Sequence, residues 1–469
     1  MRGQVIQRRL TTILMADMAG YSRLIEADED GVLARQRSYR KTLIDPTIAE
    51  AHGRIVKTTG DGMMVEFSSP RAAVTCALAI QSGMIKHEES EPHDTRIQYR
   101  IGINIGDVVD EDGDLFGDDI NVAARLEQMA EPGGVCLSDA LHQLVHSHLD
   151  VAFADLGSQS VKNISRPIRV WQWTPIERQR YSDARELSRS QQIEFCVAPD
   201  GVQLAYARVG TGSPVLKMPN WLNHLEYDWY DPIRGPMLQD MARAHQFIRF
   251  DQRGNGLSDW EAEDISEDAM AMDIETVVNA TGLERFAVFA VSQGCAFAVR
   301  YAAAHPERVR CMVMYGGYAR GSLRRGKPDQ EALHAATTDV IRAGWGSVTP
   351  AFRHMFTEMM MPSASATQKE GFDELQRVAS SPENAARVND MNARCDVSDL
   401  ARQLQVPVLV LHAEGDKRVP VEEGRRLAAL IPGARFQTLP GDNHMLLPGT
   451  PAYDSFSRSF REFMAEHHD

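Results

Sequence analysis

RIVKTTGDGMMVEF, residues 54–67, reads as a strand, a tight turn and a second strand. Two β-rich runs flank Thr59-Gly60-Asp61-Gly62, and Asp-Gly between such runs is a strong hairpin signal. Upstream, TTILMAD (11–17) is an apolar strand, followed by a long helical stretch from roughly Tyr21 to His52. Downstream, SPRAAVTCALAIQSGM is a helix with Pro70 near its first turn. RIQYRIGINIGDVV (96–109) is a further strand, and DDINVAARLEQMA (118–130) is a helix stopped by Pro132-Gly133. This order predicts a sheet covered by helices, an α+β domain.

The chain has 469 residues, 43% hydrophobic and 25% charged, which suits a globular protein of two or three domains. Its net charge of −15 argues against a general binder of nucleic acids or anionic membranes. A nucleotide substrate stays open, because a local metal site reverses the field. The six cysteines (76, 136, 196, 295, 311 and 395) form no C-x-x-C pair, so neither a zinc site nor a disulfide framework is indicated. The first residues are basic but lack the apolar core and cleavage site of a leader. No stretch approaches the ~18 apolar residues of a membrane span. A cytoplasmic protein is the expectation.

Three segments are expected. Residues 1–176 mix short β-rich runs with helices. Residues 177–191, ERQRYSDARELSRSQ, are polar with little apolar periodicity and read as a linker or short helix. Residues 192–469 open with IEFCVAPDGVQLAYARVG, a hairpin around Asp-Gly, and then alternate strand and helix.

In the first segment, Asp17 ends a strand beside Met18-Ala19-Gly20, and Asp61 sits in the hairpin turn. If the strands are neighbours, the two carboxylates can share a pair of hard cations, as in phosphoryl transfer. Asn121 and Arg125, four apart, share one helix face. A planar guanidinium there suits a phosphate whose charge is growing. Taken singly, Asp61 is more often a plain turn residue, Asp17 a helix cap and the Asn/Arg pair a solvated face. Their joint order is what points to chemistry.

ILMADMAGYSRL, IVKTTGDGMMVEF, RIGINIGDVV and DLFGDDINVAARLEQMAEPGGVCLS together resemble the class III adenylate/guanylate cyclase family over about residues 8–174. The resemblance implies a ferredoxin-like domain. It implies that Asp17 and Asp61 hold two divalent cations, Mg²⁺ or Mn²⁺, with the Met18 carbonyl as a further ligand. It implies that Lys57 and Asp114 read the purine, that Asn121 orients the ribose and that Arg125 meets the transition state. A lysine donor and an aspartate acceptor match the N1 acceptor and 6-amino donor of adenine, so ATP is favoured over GTP. The Glu/Cys-type pair of guanylate cyclases is absent, as is the Gly-Gly-Asp/Glu-Glu-Phe turn of diguanylate cyclases. The implied reaction turns ATP into cyclic AMP and pyrophosphate at sites spanning two protomers. One chain carrying all six residues then implies a homodimer.

In the last segment, AVFAVSQGCAFAVRYAAAHPERV (287–309) reads as strand, sharp turn and helix, with Ser292 at the turn. This is the nucleophile-elbow pattern with Ala290 in place of the first glycine. VPVLVLHAEGDKRVP is a buried strand expected to end at Asp416, and His444 follows in GDNHML. With FDQRGNGLSD (250–259) and HPERV (305–309), residues 192–469 resemble the α/β-hydrolase fold, a doubly wound sheet. The resemblance implies a Ser292–His444–Asp416 triad, a cap over residues 320–400, and an oxyanion hole from the Gln293 amide and one near Asn220 or Trp221. Pro219-Asn220 replaces the usual His-Gly there. Three roles stay open for this segment: a serine ester or lactone hydrolase beside a weakly active or regulatory cyclase, a module sensing a small-molecule ligand, or a passive dimerisation scaffold.

Overall fold

A computed structural model describes residues 8–92, 95–111, 113–149, 151, 153–159, 167–326, 328–347, 349 and 351–468. The chain divides into two compact units, Met1–Ser182 and Asp183–Asp469. Among the described residues no helix is long and apolar enough to cross a membrane, and all six cysteines are free thiols.

The first unit begins with β1 (Arg8–Met18). The long helical stretch expected next is broken in two: α1 (Tyr21–Tyr39) and α2 (Asp45–Glu50) are joined by a wide helical turn over Arg40–Ile44. β2 (Arg54–Thr59) and β3 (Gly62–Phe67) form the hairpin. α3 (Pro70–His87) starts where the Ser69 side chain accepts from the Ala72 amide, with proline in the first turn where no amide partner is lost. β4 (Tyr99–Glu111), β5 (Asp114–Phe116), α4 (Asp118–Met129), β6 (Val135–Ser138), α5 (Asp139–Val145), β7 (Ala154–Gln159) and β8 (Ile168–Trp173) complete the unit.

The sheet order is β2-β3-β1-β4-β6-β8-β7, with β5 on the end of β4. Strand alternation sorts its residues between two faces. Leu14, Ala16 and Met18 of β1, with Ile101 and Ile103 of β4, join a core under α1, α2, α3 and α5. Ile13 of β1 and Val108 of β4 face the other way and pack with Ile120 and Ala123 of α4. That second face is covered less fully: Met15, Val56 and Met64 are only partly buried there.

The stretch expected as a linker is helical: α6 runs from Pro175 to Ser190, and the division between the units falls inside it. Ala184 and Leu187, one turn apart, enter a core of the second unit. That unit continues with β9 (Gln192–Val197), β10 (Gln203–Val209), β11 (Pro214–Lys217), α7 (Arg234–Ala244), β12 (Gln246–Phe250), α8 (Glu267–Thr281), β13 (Phe286–Val291), α9 (Gly294–Ala304) and β14 (Val309–Tyr315). Four helices then follow, α10 (Gln330–Gly344), α11 (Ala351–Met360), α12 (Ala366–Ala379) and α13 (Pro382–Arg394), in the stretch expected as a cap. The chain ends with α14 (Ser398–Ala401), β15 (Val408–Ala413), α15 (Val421–Leu430), β16 (Arg435–Leu439) and α16 (Pro451–Glu466).

The second sheet runs β16-β15-β14-β13-β11-β12-β10-β9, parallel except for β9 and β10 at one edge. Parallel strands need crossover helices on both faces, and their residues are accordingly apolar on both sides. Val288, Ala290, Met312, Met314, Val408 and Val410 pack toward α8, α9 and α15. Their neighbours Ala287, Phe289, Val313, Tyr315, Leu409 and Leu411 pack toward α7 and the Phe456–Phe460–Phe463 stripe of α16. Truncating one of these phenylalanines costs about 3–5 kcal/mol.

Candidate active sites

The first site grows from the hairpin. Gly60 takes φ 68°, the left-handed conformation a two-residue hairpin loop needs, so the loop residues are Gly60 and Asp61. Gln36 of α1 donates to the Gly60 carbonyl at 3.2 Å and holds the loop from behind. A Cβ on Gly62 would lie 2.8 Å from Asp17 Oδ1 and 3.1 Å from the Ala16 carbonyl. The bare glycine thus lets the loop close on the end of β1, bringing Asp61 against Asp17. Burial pushes the Asp17 carboxyl up, and the adjacent Asp61 pushes it further, while the Met18 amide and Arg100 act against them.

Arg100 is the register partner of Asp17 on β4. Glu127 of α4 is buried, and its carboxyl is raised to about 7, first by burial and then by Asp17, with Arg100 opposing. Sequence reasoning missed both residues. Arg100 was within reach of an exact β1–β4 register, and Glu127 of the helix face that also carries Ala123 and Leu126.

Lys57 and Asp114 meet: Lys57 Nζ lies 3.9 Å from Asp114 Oδ2, both half exposed. Lys57 pairs in register with Met64, and Met64 with Met15, so Lys57 stands on the α4 side of the sheet, the side that Asp17 shares by parity with Ile13 and Met15. Asn121 is exposed on α4, and Arg125 Nη1 donates to Gln128 Oε1 at 2.7 Å. Among the described residues no hydrogen bond or ion pair joins Asn121 or Arg125 to Asp17, Asp61, Lys57 or Asp114. One chain therefore carries three separate groups on one sheet face and its covering helix.

The donor set fits a hard cation. Two abutting carboxylates, with Asp17 raised by burial and then by Asp61 despite Arg100, call for the further positive charge that a divalent ion supplies. Among the described residues no third His, Cys, Asp or Glu joins them. The Met18 side chain is in the opposite core, leaving its carbonyl as the available donor. Such a sparse set matches Mg²⁺, which keeps several ligands for water and substrate phosphate.

The second site is assembled in the other unit. Ser292 sits between β13 and α9 at φ 54°, a strained conformation for a residue with a Cβ. Its amide donates to Tyr315 O at 2.8 Å. A Cβ on Gly294 would lie 2.7 Å from the Pro219 carbonyl, so this position admits only glycine. Ala290, where an elbow usually has glycine, is fully buried in β13, and the strand accommodates its methyl group.

His444 Nε2 lies 2.9 Å from Ser292 Oγ, and His444 Nδ1 lies 2.6 Å from Asp416 Oδ2. The strand leading to Asp416 ends earlier than expected, at Ala413, and Asp416 caps the following turn by accepting from the Arg418 and Val419 amides at 2.8 Å each. Burial alone would raise the Asp416 carboxyl. His444, His412 and the Val419 amide outweigh it and hold it far below the usual range. Asp416 is thus a fixed negative charge that orients His444. Two residues missed from the sequence shape this corner. His412 Nε2 is 3.4 Å from Asp416 Oδ2, and a Cβ on Gly316 would lie 3.1 Å from His444 Cε1.

The loop after β11 is fixed from below. Lys217 is buried, its amine pulled down to about 7 by burial, and Nζ donates to Asn220 Oδ1 at 2.5 Å. Trp221 stacks edge-on to Trp345 and parallel to Phe356 of the cap. Neither the Trp221 nor the Gln293 amide has a hydrogen-bond partner among the described residues. Two free amides beside the serine are what an oxyanion hole requires.

Known families match both units. The adenylate and guanylate cyclase catalytic domain matches residues 6–173, and the alpha/beta hydrolase fold matches residues 221–353. A protein of Rhizobium meliloti (strain 1021), named as a candidate adenylate cyclase, is 46% identical over 180 residues, 38% of this chain and 31% of its own. This chain thus spans about a third of that relative. The crystal structure of an adenylate/guanylate cyclase/hydrolase from Silicibacter pomeroyi is 62% identical over 36% of this chain and 98% of its own, with a TM-score of 0.34. An esterase from Exiguobacterium antarcticum shares the second fold, at 21% identity and a TM-score of 0.51, over 58% of this chain and all of its own (100%). The chain joins a domain of the adenylate and guanylate cyclase catalytic family to a domain of the alpha/beta hydrolase fold.

Proposed function

We propose that the first unit is an adenylate cyclase that converts ATP to 3′,5′-cyclic AMP and pyrophosphate, and that the second is a serine hydrolase. The Lys57–Asp114 pair carries the first reading. A donor and an acceptor held 3.9 Å apart on the sheet face that also carries Asp17 match the adenine edge and mismatch guanine. Asp17 and Asp61, with the Met18 carbonyl, would hold two divalent cations, which supply charge neutralisation at the triphosphate and acidify the 3′-hydroxyl. Asn121 orients the ribose and Arg125 meets the charge growing on the α-phosphate.

The separation of these groups within one chain supports a homodimer. The incompletely covered α4 face of one protomer would meet that of its partner, joining the metal carboxylates of one to the Lys57, Asp114, Asn121 and Arg125 set of the other. Purified full-length protein with ATP and Mn²⁺ or Mg²⁺ makes cyclic AMP in preference to cyclic GMP. No product, or full activity in Asp17→Asn, rejects the reading.

For the second unit, the formed Ser292–His444–Asp416 chain favours turnover over a purely ligand-sensing role. Ser292 Oγ attacks an acyl carbon while His444 takes its proton and passes it to the leaving alcohol. Water then cleaves the acyl-enzyme by the same route in reverse. Ester hydrolysis that disappears in Ser292→Ala supports this. A wild-type chain inert toward short esters and lactones, whose cyclase rate a small-molecule ligand shifts, makes the unit a sensor.

A further inference from the structure

The cleft over Ser292 is lined by Trp221, Gln293, Tyr318, Arg325, Arg418 and their neighbours. Among the described residues it holds two arginines and no carboxylate. Asp416 lies close by, but its oxygens are taken by His444, His412 and the Arg418 and Val419 amides.

The two guanidinium groups are poorly satisfied. Arg325 Nε donates to Arg320 O at 3.0 Å, and the group lies 5.1 Å from the centre of the Tyr318 ring. It has no carboxylate partner among the described residues. Arg418 is half-buried, and its side chain has no hydrogen bond or ion pair among the described residues. Burial lowers the Arg418 guanidinium from its usual value and Arg325 adds to this by repulsion, with Tyr318 and Asp416 opposing. Other arginines of the unit show the contrast. Arg234 and Arg249 meet Asp228, and Arg253 meets Asp273 and Asp200. Trp221 lines the same cleft, and its buried indole N–H has no partner among the described residues.

Unpaired charge in a desolvated cleft is unfavourable until a counter-charge arrives. We propose that the serine centre takes an anionic ester, one whose acyl or alcohol part carries an oxyanion group, carboxylate or phosphate, that Arg325 and Arg418 bind beside Ser292 with the Trp221 indole as a further donor. This rests on the serine-hydrolase reading. The anion anchors the substrate, the scissile acyl–oxygen bond breaks as the acyl–Oγ bond forms, and the alcohol leaves with the proton from His444.

The test uses the full chain. Monomethyl succinate, an anion, is compared with neutral dimethyl succinate, and a phosphate-bearing acetyl ester, acetyl phosphoethanol, serves as the second anion. The expected result is a higher kcat/KM for one of the anions than for the neutral ester. In Arg418→Gln and Arg325→Gln the anion-to-neutral ratio falls by about tenfold or more, through KM, because a charge-assisted hydrogen bond is lost; Arg418→Lys restores part of it. Which anion wins tells carboxylate from phosphate. Preference for the neutral ester, or an unchanged ratio in both variants, overturns the proposal. If no ester turns over, the hydrolase reading is what fails. Calorimetric titration of Ser292→Ala with succinate and with inorganic phosphate then decides the anion site alone. Binding lost in Arg418→Gln upholds it, and no binding overturns it.

Discussion

Lys57 Nζ and Asp114 Oδ2 stand 3.9 Å apart, one on β2 and the other at the start of β5, brought together from positions 57 residues apart by the β1–β3–β4 registers. Exposed pairs of this kind contribute little to stability, about 0–1 kcal/mol. Their value lies in what they offer a base. Asp114→Ala should leave the melting temperature nearly unchanged while lowering kcat/KM for ATP by about tenfold or more and eroding the ATP-over-GTP preference. Initial rates with both nucleotides check this. A variant that keeps full selectivity would remove the pair from base recognition.

The carboxylate pair makes two opposite demands. Without metal, burial and then Asp61 raise the Asp17 carboxyl, so ionising it in the folded chain is unfavourable. A carboxyl raised on folding destabilises the fold as pH rises through and above its unfolded value. Asp17→Asn should therefore raise the melting temperature of protein stripped with chelator, most clearly at neutral pH. The same variant should lose about two orders of magnitude or more of cyclase rate. Added Mg²⁺ should raise the melting temperature of the wild type and not of the variant. Equal metal response in both would place the ion elsewhere.

Gly316 adjoins the imidazole of His444, and its φ of 60° is itself costly for any other residue. Gly316→Ala should push the ring from Ser292 and lower ester kcat by about tenfold or more, since small misplacements at a reacting group are expensive. Ser292→Ala should abolish the reaction. Both variants are expected to keep the wild-type cyclase rate per folded protein, and a shared loss would mean that they fail to fold.

Acid should weaken the first unit through His142. Its ring stacks on Trp171 at 3.7 Å and 8°, its Nδ1 has no partner among the described residues, and burial followed by the charge of His146 pulls it down to about 4. The unfolded chain takes up this proton near pH 6.5 and the folded chain only near 4, so stability present above 6.5 is lost as pH falls between the two values, by about 3 kcal/mol at most. His142→Phe keeps the stack and should flatten the dependence. Denaturant titrations of the first unit's signal from pH 7 to 4 measure it.

Much of this was legible in the chain. Asp17, Asp61 and Ser292 announce themselves because each sits near where a strand gives way to a turn, beside glycine or alanine, and His444 through its place in the loop after the last strand. The β9–β10 hairpin declared itself through Asp200-Gly201, where Gly201 takes φ 93°. What stayed hidden depends on register. β5 has three residues and exists only because Val109, Asp110 and Glu111 pair with it. Arg100 and Glu127 come near Asp17 through the β1–β4 ladder and the seating of α4, contacts that no window of sequence contains. Arg325 and Arg418 are 93 residues apart and meet only where the cap closes over β15.

The loop that closes on Asp17 owes its position to a missing side chain at Gly62. Stated in the terms of genetics, every missense change at that codon adds a Cβ at 2.8 Å from Asp17 Oδ1, so the aspartate turns away or the hairpin lifts. A lineage that relaxes its need for this centre would cross from an intact pair to a broken one in a single substitution, with the rest of the fold left standing.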